Sequence, residues 1–140
     1  MKITDLKPTI VWKFFHQVTQ VPRPSKKEGK MIEFLESFAK EYKIAIKKDE
    51  AGNLLMSKPA TPGMEDRPVV VLQSHMDMVC EKNNGTKHDF DNDPIETIVD
   101  GEWLRANGTT LGADNGIGVA AELALLASMI SNTVRSNVCS

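Results

Sequence analysis

His75 and Asp77 stand one residue apart, directly after the apolar run Val69-Val70-Val71-Leu72 and the polar pair Gln73-Ser74. An imidazole can bind a transition metal through one nitrogen while the other donates to a carboxylate. That second bond fixes the tautomer and raises the basicity of the ligand. A polar strand end facing water would carry the same residues, so the pattern by itself leaves both readings open. Its position is more telling, because sites in open α/β sheets collect outside the carboxyl ends of strands.

A second stretch, Gly108-Thr109-Thr110-Leu111-Gly112-Ala113-Asp114-Asn115-Gly116-Ile117-Gly118, surrounds one carboxylate with small residues at the mouth of an expected helix. The two oxygens of Asp114 could bridge two cations, and a metal pair held that way suits a shared hydroxide nucleophile. An Asp capping a helix among turn glycines is the alternative reading of the same residues. Other candidates carry less. His16 is expected on a helix as a surface or packing residue. His88, beside Asp89 and Asp91, reads as part of a solvated loop, and Cys80 as an idle thiol.

The elements that must position these groups follow from pattern. A helix is expected from about Pro8 to Thr19, with Ile10, Phe14 and Val18 on one face, and Val21-Pro22-Arg23-Pro24 stops it. Ser25 is expected to cap a second helix, completing a capping box with Glu28. Met31, Phe34, Leu35, Phe38 and Tyr42 then line its apolar face. The alternating residues Ile44 to Lys48 and the run Leu54-Leu55-Met56 read as hairpin arms around an Asp49 to Asn53 turn. Lys58 to Pro68 is a surface loop. Val69 to Leu72 reads as a strand buried on both faces. Ile95 to Val99 and Trp103 to Ala106 can pair across Asp100-Gly101, and a buried helix is expected from Ile117 to about Met129.

The 140 residues are 41% hydrophobic and 26% charged, with a formal net charge of -2, which is ordinary globular composition. That balance gives no electrostatic basis for binding nucleic acid or an anionic membrane. No apolar run approaches a membrane span. Two distant cysteines, Cys80 and Cys139, and no signal-peptide pattern point to free thiols in the cytoplasm.

Several long collinear segments resemble the Xaa-His dipeptidases, or bacterial carnosinases, of the two-zinc clan that includes aminoacylases and glutamate carboxypeptidases. They are Val11-Trp12-Lys13-Phe14-Phe15 with Val21-Pro22-Arg23-Pro24-Ser25, Lys58 to Met64, Leu72-Gln73-Ser74-His75-Met76-Asp77-Met78-Val79, His88-Asp89-Phe90 and Gly101 to Gly118. The resemblance covers about residues 6 to 128. It implies an α/β fold, with the chain supplying the N-terminal part of a mixed, mostly parallel sheet flanked by helices. It also implies that His75 binds one of two Zn2+ ions (Co2+ or Mn2+ being alternatives), that Asp77 orients His75, and that Asp114 bridges both metals. The Asp114–Asn115 peptide should then be cis. The substrate would be a short peptide, Xaa-His favoured, hydrolysed by a cytoplasmic metallopeptidase.

The resemblance also implies what should be missing. In these enzymes an adjacent Glu-Glu pair supplies the general base and another ligand, and no two glutamates are adjacent here. The chain is therefore expected to be a fragment: residues 1–128 the first part of a catalytic domain, residues 129–140 an unmatched tail, and the isolated polypeptide inactive. A related deacylase or carboxypeptidase activity, or a non-catalytic role packing against itself or a partner, remains as the alternative. A partial sheet would leave an unpaired edge, which leaves a homo-oligomer open.

Overall fold

The computed structural model describes residues 1–128 and, for the backbone alone, the strand Ser136–Cys139. The expectations for the rest of the tail and for the Cys139 thiol lie outside the described residues. After a 3-10 turn at Ile3–Asp5, the elements are helices α1 (Thr9–Thr19), α2 (Gly29–Glu41) and α3 (Ala113–Ala127), and strands β1 (Ala45–Lys48), β2 (Leu54–Lys58), β3 (Val70–Gln73), β4 (Thr97–Asp100), β5 (Trp103–Ala106) and β6 (Ser136–Cys139).

The expected α/β class holds, and the sheet is mixed. Its order is β1-β2-β6-β3, with β1–β2 and β2–β6 antiparallel and β6–β3 parallel. The hairpin register pairs Ala45 with Ser57 and Lys48 with Leu54. Asp49 shapes its turn by accepting from the Ala51 and Asn53 amides. β4 and β5 form a separate two-stranded antiparallel ribbon across the expected Asp100-Gly101 turn.

The helices supply the core. Phe14, Phe15 and Val18 of α1 meet Met31, Leu35 and Phe38 of α2 and Val119, Leu123 and Leu126 of α3, with Leu54 and Met56 of β2 beneath. Phe14 and Phe38 pack edge to face at 5.5 Å between ring centroids. Lys58 closes the far end of α3 by donating to the carbonyls of Leu125 and Ser128. Leu123 is 2% exposed at the centre of this packing. Leu123→Ala should lower the unfolding free energy by about 3 kcal/mol through lost burial and an incompletely collapsed cavity. Urea titration followed by circular dichroism reads this, and a loss below about 1 kcal/mol would show that the three-helix core is packed differently.

Three local expectations are corrected. β3 is not buried on both faces: Val70 and Val71 are 45% and 61% exposed, because β3 forms one edge of the described sheet. Ser25 does not cap α2, whose first turn has no side-chain cap. Its hydroxyl instead donates to the Asp77 carboxylate, a charged and therefore stronger acceptor. Glu28 takes the Lys26 amide at 2.6 Å. Finally, α3 begins at Ala113 rather than Ile117, with Asp114 and Asn115 departing from helical geometry inside its first turn.

Candidate metal centre

Polar residues begin where β3 ends, and each is tied down. Ser74 is 1% exposed and donates to Glu122 Oε2 at 2.7 Å, anchoring the strand end to α3. Residues 76–78 run beside the segment Pro22 to Ser25. The Met78 amide donates to the Arg23 carbonyl at 3.0 Å, the Ser25 amide donates back to the Met78 carbonyl at 3.3 Å, and Pro24 and Met78 form a parallel bridge. Further on, the Thr110 amide donates to the Glu81 carbonyl at 2.8 Å and the Thr110 hydroxyl to the Val79 carbonyl at 2.7 Å. This second tie draws the glycine-rich segment alongside the first.

The result brings all three predicted side chains together. His75 Nδ1 lies 2.9 Å from Asp77 Oδ1, and His75 Nε2 lies 3.2 Å from Asp114 Oδ1. Asp77 spends its other oxygen on the Ser25 hydroxyl. With Asp77 ionised, Nδ1 carries a proton and donates to it; in the imidazolium Nε2 also donates, to Asp114, and loss of that second proton frees an Nε2 lone pair facing the same carboxylate. The Asp114–Asn115 peptide is cis. Asn115 turns its side chain inward, where Oδ1 accepts from the Gly118 amide at 3.1 Å, while the Asp114 carboxylate stands in solvent, its side chain 97% exposed.

The charges are mutually adjusted. Burial pulls the His75 imidazole down, but its hydrogen bonds to Asp114 and Asp77 outweigh this and hold its pKa above the usual histidine value. The Ser25 hydroxyl, with help from His75 and against partial burial, holds Asp77 below the usual carboxylate value. An imidazole lone pair and an exposed carboxylate this close are a donor set for a borderline cation such as Zn2+, and the carboxylate behind the ring completes a common supporting arrangement. Two donors are fewer than the three protein ligands of a typical catalytic zinc. Among the described residues no three His, Cys, Asp or Glu side chains converge on one point. The residues thus fit as part of a metal site.

The weaker candidates separate from it. His16 sits in the last turn of α1. Asp89 shapes its own loop, accepting from the Asp91 amide and the Asn92 side chain, while His88 stacks edge to face on Phe90. Burial pushes the Cys80 thiol up, against a nucleophilic role.

Sequence reasoning missed Arg23. It is 1% exposed, and burial lowers its pKa to about 10 against the favourable charge of Asp77. Nη1 donates to the carbonyls of Met76 at 3.1 Å and Asp77 at 3.0 Å, and Nη2 donates to the Gly112 carbonyl at 2.6 Å. The available signal was an arginine locked between two prolines, in a segment that stops the first helix and carries part of the family resemblance but gives the side chain no role.

Comparison with known proteins agrees with this architecture. The chain is 50% identical over 126 residues, 90% of its length, to the cytosol non-specific dipeptidase of Escherichia coli K12. It superposes on the aminoacylhistidine dipeptidase of Vibrio alginolyticus with a TM-score of 0.97 and 46% identity over 99% of the chain. The chain is a homologue of these dipeptidases. It spans 26% of the first and 28% of the second, about a quarter of their length. A tripeptidase from Staphylococcus aureus shares the fold, with a TM-score of 0.73 at 22% identity over 93% of this chain and 35% of that one. No protein-family model matches the chain.

Within this dipeptidase homologue, Glu122 is the buried acid next to the site-bearing strand. Burial raises its pKa above the usual glutamate value, and the Ser74 hydroxyl only partly opposes that. The sign follows directly. The folded state favours the neutral acid, so stability is full below the unfolded-state pKa near about 4.3 and falls as pH rises through the folded value. Glu122→Gln keeps an acceptor for Ser74 and has no charge to bury. The variant should therefore lose less stability than the parent chain between about pH 4.5 and 7, and should be the more stable of the two at neutral pH. Urea midpoints at the two pH values test this, and equal losses in the two proteins would rule it out.

Proposed function

We propose that this chain forms the opening part of a two-metal dipeptidase that hydrolyses short peptides, with Xaa-His dipeptides favoured and the cytoplasm as its compartment. The observation that carries the reading is the 3.2 Å approach of His75 Nε2 to Asp114 Oδ1, made with Nδ1 already held by Asp77. In this reading His75 holds one Zn2+, Asp114 is shared between two, and Asp77 holds the ring in orientation. Bound zinc would supply Lewis acidity toward a scissile carbonyl and lower the pKa of a bound water. Asp77 keeps the Nδ1 proton in place and stabilises positive charge on the ring. The strand end and the helix mouth present both donors on one open face, beside a cleft of about 200 Å3 lined by Glu28, Ile32, Ala51 to Asn53 and His75 to Asp77.

The same geometry supports inactivity of the 140-residue polypeptide on its own. Among its described residues no three His, Cys, Asp or Glu side chains are grouped to hold a metal, so further ligands would have to come from elsewhere in a complete enzyme. Metal analysis combined with an assay on carnosine-type dipeptides tests both parts. The expected result is turnover by a full-length dipeptidase containing these residues and none by this chain. Zinc-dependent turnover by the chain alone would overturn the inactivity claim. A full-length protein that cleaves acyl amino acids and not dipeptides would overturn the substrate assignment.

A further inference from the structure

We propose that Arg23 is the positioning residue of this centre: one buried guanidinium holds the backbone on both sides of the site and thereby sets the spacing between His75 and Asp114. The proposal deepens the reading of those two residues as metal ligands and rests on it. Its first support is the pattern of bonds. Nη1 takes the carbonyls of Met76 and Asp77, which follow His75 directly, and Nη2 takes that of Gly112, two residues before Asp114. Thr110 ties the two segments together farther along, at Val79 and Glu81, whereas Arg23 joins them next to the donors themselves. A guanidinium is planar and rigid, so a fixed distance between its two nitrogens becomes a fixed distance between the chains it holds. A lysine ammonium would have to reach both from a single point.

The second support is the space made for it. Gly112 and Gly116 flank Asp114, and a Cβ on either would fall 2.5 or 2.6 Å from Arg23 Nη2. Gly112 also has φ of +70°, which disfavours a side chain on its own account, whereas Gly116 has no such backbone requirement and is small only where the guanidinium and Phe15 press against it. The third support is how Arg23 itself is fixed. Pro22 and Pro24 restrict the backbone on either side, and the Arg23 carbonyl receives the Met78 amide. The residue is thus held at the main chain and at the tip, between the segments it joins. A guanidinium whose task was only to fill the core would not need both of its terminal nitrogens directed at carbonyls in the segments that carry His75 and Asp114; an apolar side chain would fill the volume without the desolvation cost.

Crystal structures of the 140-residue chain and of its Arg23→Lys and Arg23→Met variants, paired with calorimetric titration by Zn2+ alone, provide the test. The expected result for variants that still melt cooperatively is a His75 Nε2 to Asp114 Oδ1 separation widened beyond about 4 Å, outside hydrogen-bond reach, and zinc affinity lower by roughly tenfold or more. Folded Arg23→Lys with the parent separation and the parent affinity would overturn the proposal. If neither Arg23 variant folds, Gly116→Ala decides, since it pushes on Nη2 without removing the charge: a widened pair supports the positioning role and an unchanged pair refutes it. Failure of the metal reading has a different signature. The parent chain and Asp114→Ala would then take up zinc equally, while the separation measured in the crystals would still judge Arg23.

Discussion

Asp114→Ala, placed in a full-length dipeptidase that carries this chain's residues, is expected to lower kcat/KM by at least about 10³-fold, equivalent to about 4 kcal/mol of transition-state stabilisation. The size follows from the role assigned to the carboxylate. A carboxylate that would be shared by two cations could not be lost without weakening both, and its removal would leave their mutual repulsion uncompensated by its negative charge. In this chain the side chain is almost fully exposed, so the stability of the 140-residue polypeptide should hardly change. That separation of activity from stability makes the experiment informative. Steady-state kinetics with a dipeptide substrate, run beside a thermal melt, gives both values. A loss smaller than about tenfold, at full metal loading, would mean that Asp114 is a helix-mouth residue and not a ligand.

The second large effect belongs to Asp77. Asp77→Asn retains the size of the side chain and an acceptor for His75 Nδ1, but removes the charge that fixes the ring and that Ser25 supports. Loss of such a supporting carboxylate typically weakens metal affinity about 10–100-fold. Zinc affinity measured by competition with a chromophoric chelator should fall within that range, and Ser25→Ala should produce a smaller fall in the same direction. Unchanged affinity in Asp77→Asn would show that the ring is oriented by its other contacts.

How far the sequence foretold this arrangement depended on distance along the chain. His75, Asp77 and Asp114 stood out as candidates because each lies in a short patterned segment, a histidine and a carboxylate after a β-branched run and a lone carboxylate among glycines, but those patterns left a water-facing or helix-capping role open and only the family resemblance implied metal ligation. The amphipathic spacing of Phe14, Val18, Met31, Leu35 and Phe38 likewise marked the core faces of the first two helices, although Ile10, expected on the same face as Phe14 and Val18, is 41% exposed at the start of α1. Arg23 was not legible, because its partner Gly112 is 89 residues away and a buried arginine has the same local pattern as an exposed one. Ser25 was misassigned for a related reason. Its local pattern with Glu28 satisfies a capping box, and only the fold reveals that Asp77 competes for the hydroxyl. The burial expected for Val69 to Leu72 failed because an apolar run specifies a strand but not its place in the sheet, and β3 lies at an edge here.

The Asp114 and Asp77 substitutions, and the Arg23 proposal with them, presuppose that a cation sits between His75 and Asp114. Anomalous diffraction at the zinc edge, from crystals of this chain soaked in millimolar Zn2+, examines that point without recourse to activity. The account predicts a peak about 2.0–2.2 Å from both His75 Nε2 and an Asp114 oxygen, with Asp77 still bound to Nδ1. Zinc bound elsewhere on the chain with that position empty, or a His75 ring rotated so that Nε2 turns away from Asp114, would contradict it.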